Sequence, residues 1–534
     1  MSPSRTLRLT LALLLVSAPV AADSGLAVPP SEASRFLSQA TFGANWEEIE
    51  RTSEVGFEAW LAEQFVRPVG RHQPPLEELA RLGVEVENQH RRWVWWERAM
   101  QGPDPLRQRV AFALSEIFVV SDNTEAIRDT PIGMANYYDM LLDNAFGNFR
   151  ELLLDVSLHP IMGVYLSHLR NDRSDPSGGR FPDENYAREV MQLFSVGLFE
   201  LRPDGTQYTD GDGEPVPTYD NSDITEFAKI FTGLAFDSPA PDFGNGTPVW
   251  TRPMRMYQEH HEPGPKYLLR GGFVPPGQTG MHDVADAIDN LFRHPNVGPF
   301  IGRRLIQRLV TSNPSPDYIR RVSAAFDDNG AGVRGDMRAL VTAILTDPEA
   351  RQIPNRTETT RGRLRESYLR RVHLARAFDA ANLVGSYPIT DGGAPTTFGQ
   401  LPISSPTVFN FFLPDHQPTG ELADAGLYAP EFQIMTAVTA IASANALQRQ
   451  VEGLMNDDDD PMNEVRLDLS NEIAIAANSR ALVDRLDLLL MYGDMSVPMK
   501  EILVHALDQL PDPIERVEMA IHLISIAPEY AVQK

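Results

Sequence analysis

Apolar residues recur at helical spacing toward both ends of this 534-residue chain, and the stretch between them breaks the pattern. "EEIERTSEVGFEAWLAEQF", "RRWVWWERAM", "DPLRQRVAFALSEIFVVS" and "MANYYDMLLDNAFGNFRELLLDVSLHP" carry apolar side chains three and four residues apart. That period gathers them on one face of a helix, and the face must be buried against another element. Residues 202–281 read differently. "DGDGEPVPTYDNSD", "DSPAPDFGNGTPVW" and "GGFVPPGQTG" are dense in Gly and Pro, which punctuate turns and stop long helices. One helix, "SDITEFAKIFTGLAF", is expected to cross this stretch, and its aromatics (Tyr208, Tyr219, Phe243, Trp250, Tyr257) are expected to pack over helices. Helical spacing resumes near Met281 and runs to "IERVEMAIHLISIAPEYAVQK". Within "NPSPDYIRRVSAAFDDNG", Ser315 can cap a helix, Pro316 fits its first turn and Gly330 can end it. No alternating strand pattern lasts beyond a few residues. The expected fold is all-α or nearly so, with few short strands. One large helical domain should span 23–534: a helical block at 31–201, an irregular insertion at 202–281 and a second helical block at 282–534.

Residues 1–22 are set apart from that domain. Arg5 and Arg8 precede a short apolar run, Leu9 to Val16, and Val20, Ala21 and Ala22 offer small residues for cleavage. This is the pattern of a secretory signal peptide, too short to span a bilayer. The expected destination is the periplasm or the exterior, after cleavage near Ala22. No later run approaches the roughly 20 apolar residues of a membrane span. The chain contains no cysteine, so disulfides, thiol nucleophiles and cysteine zinc sites are excluded. The serine-hydrolase elbow, the phosphate-binding P-loop and the H-E-x-x-H zinc motif are absent too. A formal charge of −26 repels nucleic acid and anionic membrane surfaces. The acidic run "NDDDDPMNE" reads as a solvated loop.

The stretch "FPDENYAREVMQLFSVGLFEL", residues 181–201, concentrates polar groups in an otherwise apolar helix. Placed on a wheel at about 100° per residue, Glu184, Asn185, Arg188, Glu189, Gln192 and Ser195 share one arc, and only Val196 falls out of place. Glu184 and Arg188 are four apart and can pair. An amphipathic surface helix accounts for most of this. A functional ridge of Asn185, Glu189 and Gln192 beneath the irregular insertion accounts for it as well, and Glu189 would then need a cation or a substrate as partner.

"RFLSQATFGA", "LRQRVAFALSEIFVVS", "PDENYAREVMQLFSVGL", "TYDNSDITEFAKIFTG", "HHEPGPKYLL", "LIQRLVTSNPSPDYIRRV" and "SPTVFNFFLPDHQP" together resemble the bacterial family called domain of unknown function 1800, over essentially the whole mature chain. The resemblance implies a large, exported, mostly helical protein. It also implies a partner: the family is often encoded beside a second exported family, domain of unknown function 1501, which resembles sulfatases and alkaline phosphatases. The family's N-[FY]-A-R-E motif falls on Asn185, Tyr186, Ala187, Arg188 and Glu189, and its H-D-x-G-x-K motif on His261, Glu262, Gly264 and Lys266. Two positions depart from the family pattern. Gln192 stands where many members carry Glu, and Glu262 where the motif has Asp.

Other segments offer weaker chemistry. "QEHHEPGPK" brings imidazole and carboxylate together, which suits a divalent transition metal or a hydrogen-bonded structural histidine. "DGDGEPVPTYDNSD" suits calcium or a plain acidic turn, and lacks EF-hand spacing. His159 and His294 each precede a proline and read as helix punctuation. Asp283 reads as a helix cap or a first-turn acid, and the three tryptophans of "RRWVWWERAM" read as core or as a sugar-stacking platform. The leading expectation is an exported accessory or scaffold protein acting with the sulfatase-like partner. The alternative is a metal-assisted hydrolase or other cation-dependent enzyme with its site between the 185–192 ridge and the 261–266 loop. That alternative makes Glu189, Arg188 and Lys266 catalytic, puts substrate on Asn185, Tyr186 and Gln192, and holds a divalent metal on His261, Glu262 and Glu189.

Overall fold

The computed structural model describes residues 27–354, 358–456, 460 and 462–534. The expected signal peptide at 1–22 lies outside the described residues, as do residues 457–459 and 461 of the acidic loop. Helices dominate: 26 α-helices are described, with three two-stranded antiparallel sheets. Leu234–Ala235 pairs with Arg255–Met256, Lys266–Leu268 with Gly272–Val274, and Arg363–Leu364 with Val532–Gln533. None of the described helices is long and apolar enough to cross a membrane.

The hydrophobic core runs without a break through all three sequence blocks. It takes Phe36 and Trp96 from the first, Phe227 and Val274 from the irregular stretch, and Ile306 and Tyr530 from the second. The irregular stretch is therefore built into the core. Its expected helix forms as Asn221–Ile230, capped reciprocally by Asp220 and Asp223, and packs on the Asn185–Gln192 helix. Trp250 stacks edge-on against Phe236, and Phe243 lies flat on His260. Trp95 and Trp96 are buried core residues, so the tryptophan cluster is not an exposed sugar platform.

Local punctuation follows the side-chain chemistry. Ser315 accepts the backbone N–H of Tyr318 and starts Pro316–Asp327. That helix stops at Asp327, before Gly330, which adopts φ +87° in the turn beyond. His159 accepts from the N–H of Ile161 through Nδ1, starting Pro160–Tyr165. Asp210 turns its own loop by accepting the N–H groups of Asp212 and Glu214.

Three amide side chains, two of them buried, prepare the ground for the site. Asn296, immediately before the Val297–Leu309 helix, donates to the carbonyls of Val196 and Phe199 and accepts from the N–H of Leu201. Gln307 on that helix donates to the carbonyl of Pro414 at 2.9 Å. Asn313, just past it, exchanges two hydrogen bonds with the backbone of Tyr428. One helix is thereby pinned to the 196–201 turn, the 408–415 segment and Tyr428. On its other face Gly302 lets the Pro316–Asp327 helix approach closely, since an added Cβ would meet Val322 Cγ1 at 3.0 Å.

Candidate functional site

The Asn185–Gln192 helix is shorter than the wheel assumed. Gly197 takes φ +73°, and the N–H groups of Val196 and Gly197 both return to the carbonyl of Met191. Val196, the misfit on the wheel, lies where the helix has already ended, and it is buried. The polar arc also divides. Asn185 is exposed, and Arg188 pairs loosely with Glu184 at 3.8 Å. Tyr186 is fully buried. It hydrogen-bonds Ser157 Oγ at 2.6 Å and stacks on His168, so its place is the core, where no substrate reaches it. Glu189 is buried with Oε2 unpartnered, and burial pushes its carboxyl up against the pull of Arg188. A lone buried carboxylate relieves desolvation by taking up a proton, which is the direction of that shift.

The 261–266 loop makes a closed cluster. His261 Nδ1 donates to the carbonyl of Thr232 at 2.9 Å, and its Nε2 lies 2.9 Å from Asp283 Oδ2. Lys266 Nζ donates to Asp283, donates to the carbonyl of Glu262 at 2.5 Å and sits 3.2 Å from His261 Nε2. All three side chains are essentially inaccessible. Asp283 is held below its usual range, since the hydrogen bonds from His261 and Lys266 outweigh its burial. Glu262 Oε2 accepts the N–H of Ser174 at 3.1 Å. No three His, Asp or Glu groups among the described residues converge to hold a metal ion, so His261, Glu262 and Glu189 do not form the expected metal set. The physical reason is that Lys266, itself a cation, already fills the space between the carboxylate and the imidazole. Thr279 caps that helix, so Asp283 is its first-turn acid, and it also pairs with His261 and Lys266.

The residue of the ridge that reaches an accessible space is Gln192. It lines a cleft of about 270 Å³ between the Val297–Leu309 helix, the turn after Gln192 and the 408–415 segment. Apolar walls come from Leu198, Phe300 and Phe409, and the polar wall from Arg303, Arg304 and Arg308. Each guanidinium lies over a ring: Arg303 on Tyr428 at 5.0 Å, Arg304 on Phe300 at 5.0 Å, Arg308 on Phe412 at 4.5 Å. Stacking of this kind orients the planar fork and leaves its edge free to donate. Arg303 and Arg304 make no ion pair within 4 Å and no hydrogen bond among the described residues. Burial and the neighbouring guanidiniums of Arg303 and Arg308 push Arg304 down, with Asp415, also on the cleft wall, opposing.

Behind the arginines lies a buried ionic network. Glu116 Oε1 accepts from Gln400 Nε2 at 3.0 Å and Asn410 Nδ2 at 3.4 Å. Its Oε2 has no hydrogen bond and lies 3.5 Å from Arg308 Nε. Gln400 also donates to Glu366, which pairs with Arg363 at 2.7 Å, and Arg363 lies 3.5 Å from Glu431. Arg109 and Arg363 both donate to the carbonyl of Arg308. Burial and the Glu366 charge push Glu116 up to about 8, while burial also raises Glu431. Glu366 goes the other way, since Arg363 and Arg109 overcome its desolvation. Three arginines thus face three acids, and burial favours the protonated form of two of them, Glu116 and Glu431.

None of these cleft arginines was singled out by motif. The legible trace is "IGRRLIQRL", three arginines on an otherwise apolar helix, and a lone Glu116 at the end of "RVAFALSE". A family model described as "Protein of unknown function (DUF1800)" matches residues 35–532. No curated protein and no solved structure matches the chain.

Proposed function

The chain belongs to the DUF1800 family, and from that premise we propose that it is an exported accessory protein that binds a small organic acid in the arginine cleft. The observation that carries this reading is the pair Arg303 and Arg304. Two stacked, unpartnered guanidiniums on a cleft wall stand out in a chain of net charge −26, where carboxylates are abundant. Guanidinium forks suit carboxylate, sulfate and phosphate oxygens. The apolar walls suit a hydrocarbon body behind the acid group. Export rests on the pattern of residues 1–22, and the resemblance supplies the candidate partner, a sulfatase-like exported protein of the domain of unknown function 1501 family. The acid would be the partner's substrate or product, held by this chain.

The test is isothermal titration of the mature protein with phenyl sulfate, phenyl phosphate and benzoate, repeated with Arg303→Ala and Arg304→Ala. Binding of one probe by the wild type, weakened tenfold or more in each variant at unchanged thermal midpoint, is the expected result. No binding of any probe, or binding indifferent to both substitutions, overturns the proposal.

A further inference from the structure

The cleft holds a group that the arginines alone do not explain. Glu116 lies on its lining, yet the residue is only 4% exposed and one carboxyl oxygen has no hydrogen-bond partner. The two oxygens are not equivalent. Oε1 accepts from two amide N–H groups, Gln400 and Asn410, so a proton on Oε1 would face donors. Oε2 makes no hydrogen bond, its one charged neighbour being Arg308 Nε at 3.5 Å, so it is the oxygen with room for the hydrogen of a protonated Glu116. A carboxylic O–H buried with nothing to accept it costs free energy comparable to a lost hydrogen bond. An acceptor oxygen arriving in the cleft would remove that cost.

We propose that Glu116 is a ligand-contacting, specificity-determining residue of the cleft: its Oε2–H donates to an oxygen of the bound acid while Arg303 and Arg304 neutralise the charge, and the site takes up a proton whenever it fills from the ionised state of Glu116. This rests on the reading of the cleft as an acid-binding site. The groups facing Glu116 come from every element around it. Arg109 is on its own helix, Pro105–Ser115. Tyr138 is on Pro131–Asn144 and Arg308 on Val297–Leu309. Arg363 is in the strand Arg363–Leu364 and Glu366 just beyond it, Glu431 is on Pro430–Gln433, and the amides are Gln400 and Asn410. Three guanidiniums favour the carboxylate, while burial and Glu366 favour the acid and prevail, leaving the group near 8. A ligand anion adds a further like charge, which favours the protonated form still more. The ligand class follows: an oxyanion with acceptor oxygens and no acidic proton of its own in the working range, such as a carboxylate or a sulfate ester. Its neutral amide counterpart would lack the charge that Arg303 and Arg304 require.

The probes are phenyl sulfate and benzoate, which stay ionised above pH 6 and so contribute no proton themselves. Titration at pH 8 in two buffers of different ionisation enthalpy should show about half a proton taken up per site, because Glu116 is then about half ionised. Wild-type affinity should be level below pH 7 and fall roughly tenfold between pH 7 and 9. In Glu116→Gln the amide donates at every pH, so the proton uptake and the Glu116 part of this fall should disappear. Arg304, pushed down to about 9, also loses charge toward the top of that range in both proteins, so the fall between pH 7 and 8 is the part that Glu116→Gln removes. Proton uptake in the wild type needs no variant, which guards against a misfolded Glu116→Gln. Binding without proton exchange, or the same pH profile in both proteins, overturns the role of Glu116 and leaves the acid-binding reading standing. Failure of both probes to bind the wild type overturns both.

Discussion

Lys266 and Arg304 are both cations at the centre of an acidic chain, and they sit in opposite circumstances. Lys266 is sealed in, with its ammonium against Asp283, the Glu262 carbonyl and His261. Arg304 is partly exposed, stacked on Phe300 and close to two more guanidiniums. The first region resembles chemistry in one dimension, with His, Glu and Lys within six residues, and is closed in three. The second has no motif and leaves its charges available. A polar cluster whose charges are paired inside the protein holds the fold. One whose donors lack acceptors beside an accessible cleft is ready for a ligand.

The largest effect should come from the sealed cluster. Asp283→Ala leaves the Lys266 ammonium buried without its carboxylate, and chemical denaturation should show a loss of about 3–5 kcal/mol. A loss below about 1 kcal/mol would break the comparison, because the cluster would then not be holding structure. In the cleft the effect should fall on binding instead. Removing Arg303 or Arg304 should cost about 1.5–3 kcal/mol of phenyl sulfate affinity, the range for a hydrogen bond to a charged group, with stability moved by less than about 1 kcal/mol.

The network behind the cleft sharpens the contrast through pH. Glu116 is raised from near 4.5 to about 8, so the folded chain keeps a proton that the unfolded chain releases in between. Its contribution is present in acid and lost as pH rises toward 8. Glu116→Gln has no such proton. Its stability relative to wild type should therefore improve from pH 5 to pH 8, by up to about 1.4 kcal/mol per pH unit. Urea midpoints of both proteins across that range measure it, and parallel curves would place Glu116 outside the network's electrostatics. The smallest effect belongs to the buried side of the Asn185–Gln192 helix. Tyr186→Phe removes the Ser157 hydrogen bond and should cost about 1 kcal/mol in thermal or urea unfolding, with probe binding unchanged.

The ridge shows how far the linear reading reaches. Gln192 faces the cleft, as a functional ridge requires. Tyr186 is core because it lies on the apolar side of the helix, and Ser195 is core because the chain leaves the helix after Gln192 and turns inward toward Gly197. Val196 was the one available warning, a misfit that marked the helix end. Asp283 and Glu116 gave weaker traces. A lone acid in an apolar run shows that a partner is needed and does not show which.

Periodicity, caps and breakers act between residues at most a turn or two apart, so they are written in consecutive letters. The helices, the capping by Ser315, the punctuation by His159 and the absence of any cysteine chemistry were decided there. Membership in the family follows from the chain as a whole, residues 35–532. Which charges are matched was decided by contacts that no local rule encodes. Glu116 meets Gln400 across 284 residues, and Gln307 meets Pro414 across 107. Burial and pairing depend on what the rest of the chain brings to a side chain. For that reason the closed lysine and the open arginines could be told apart only in the folded molecule.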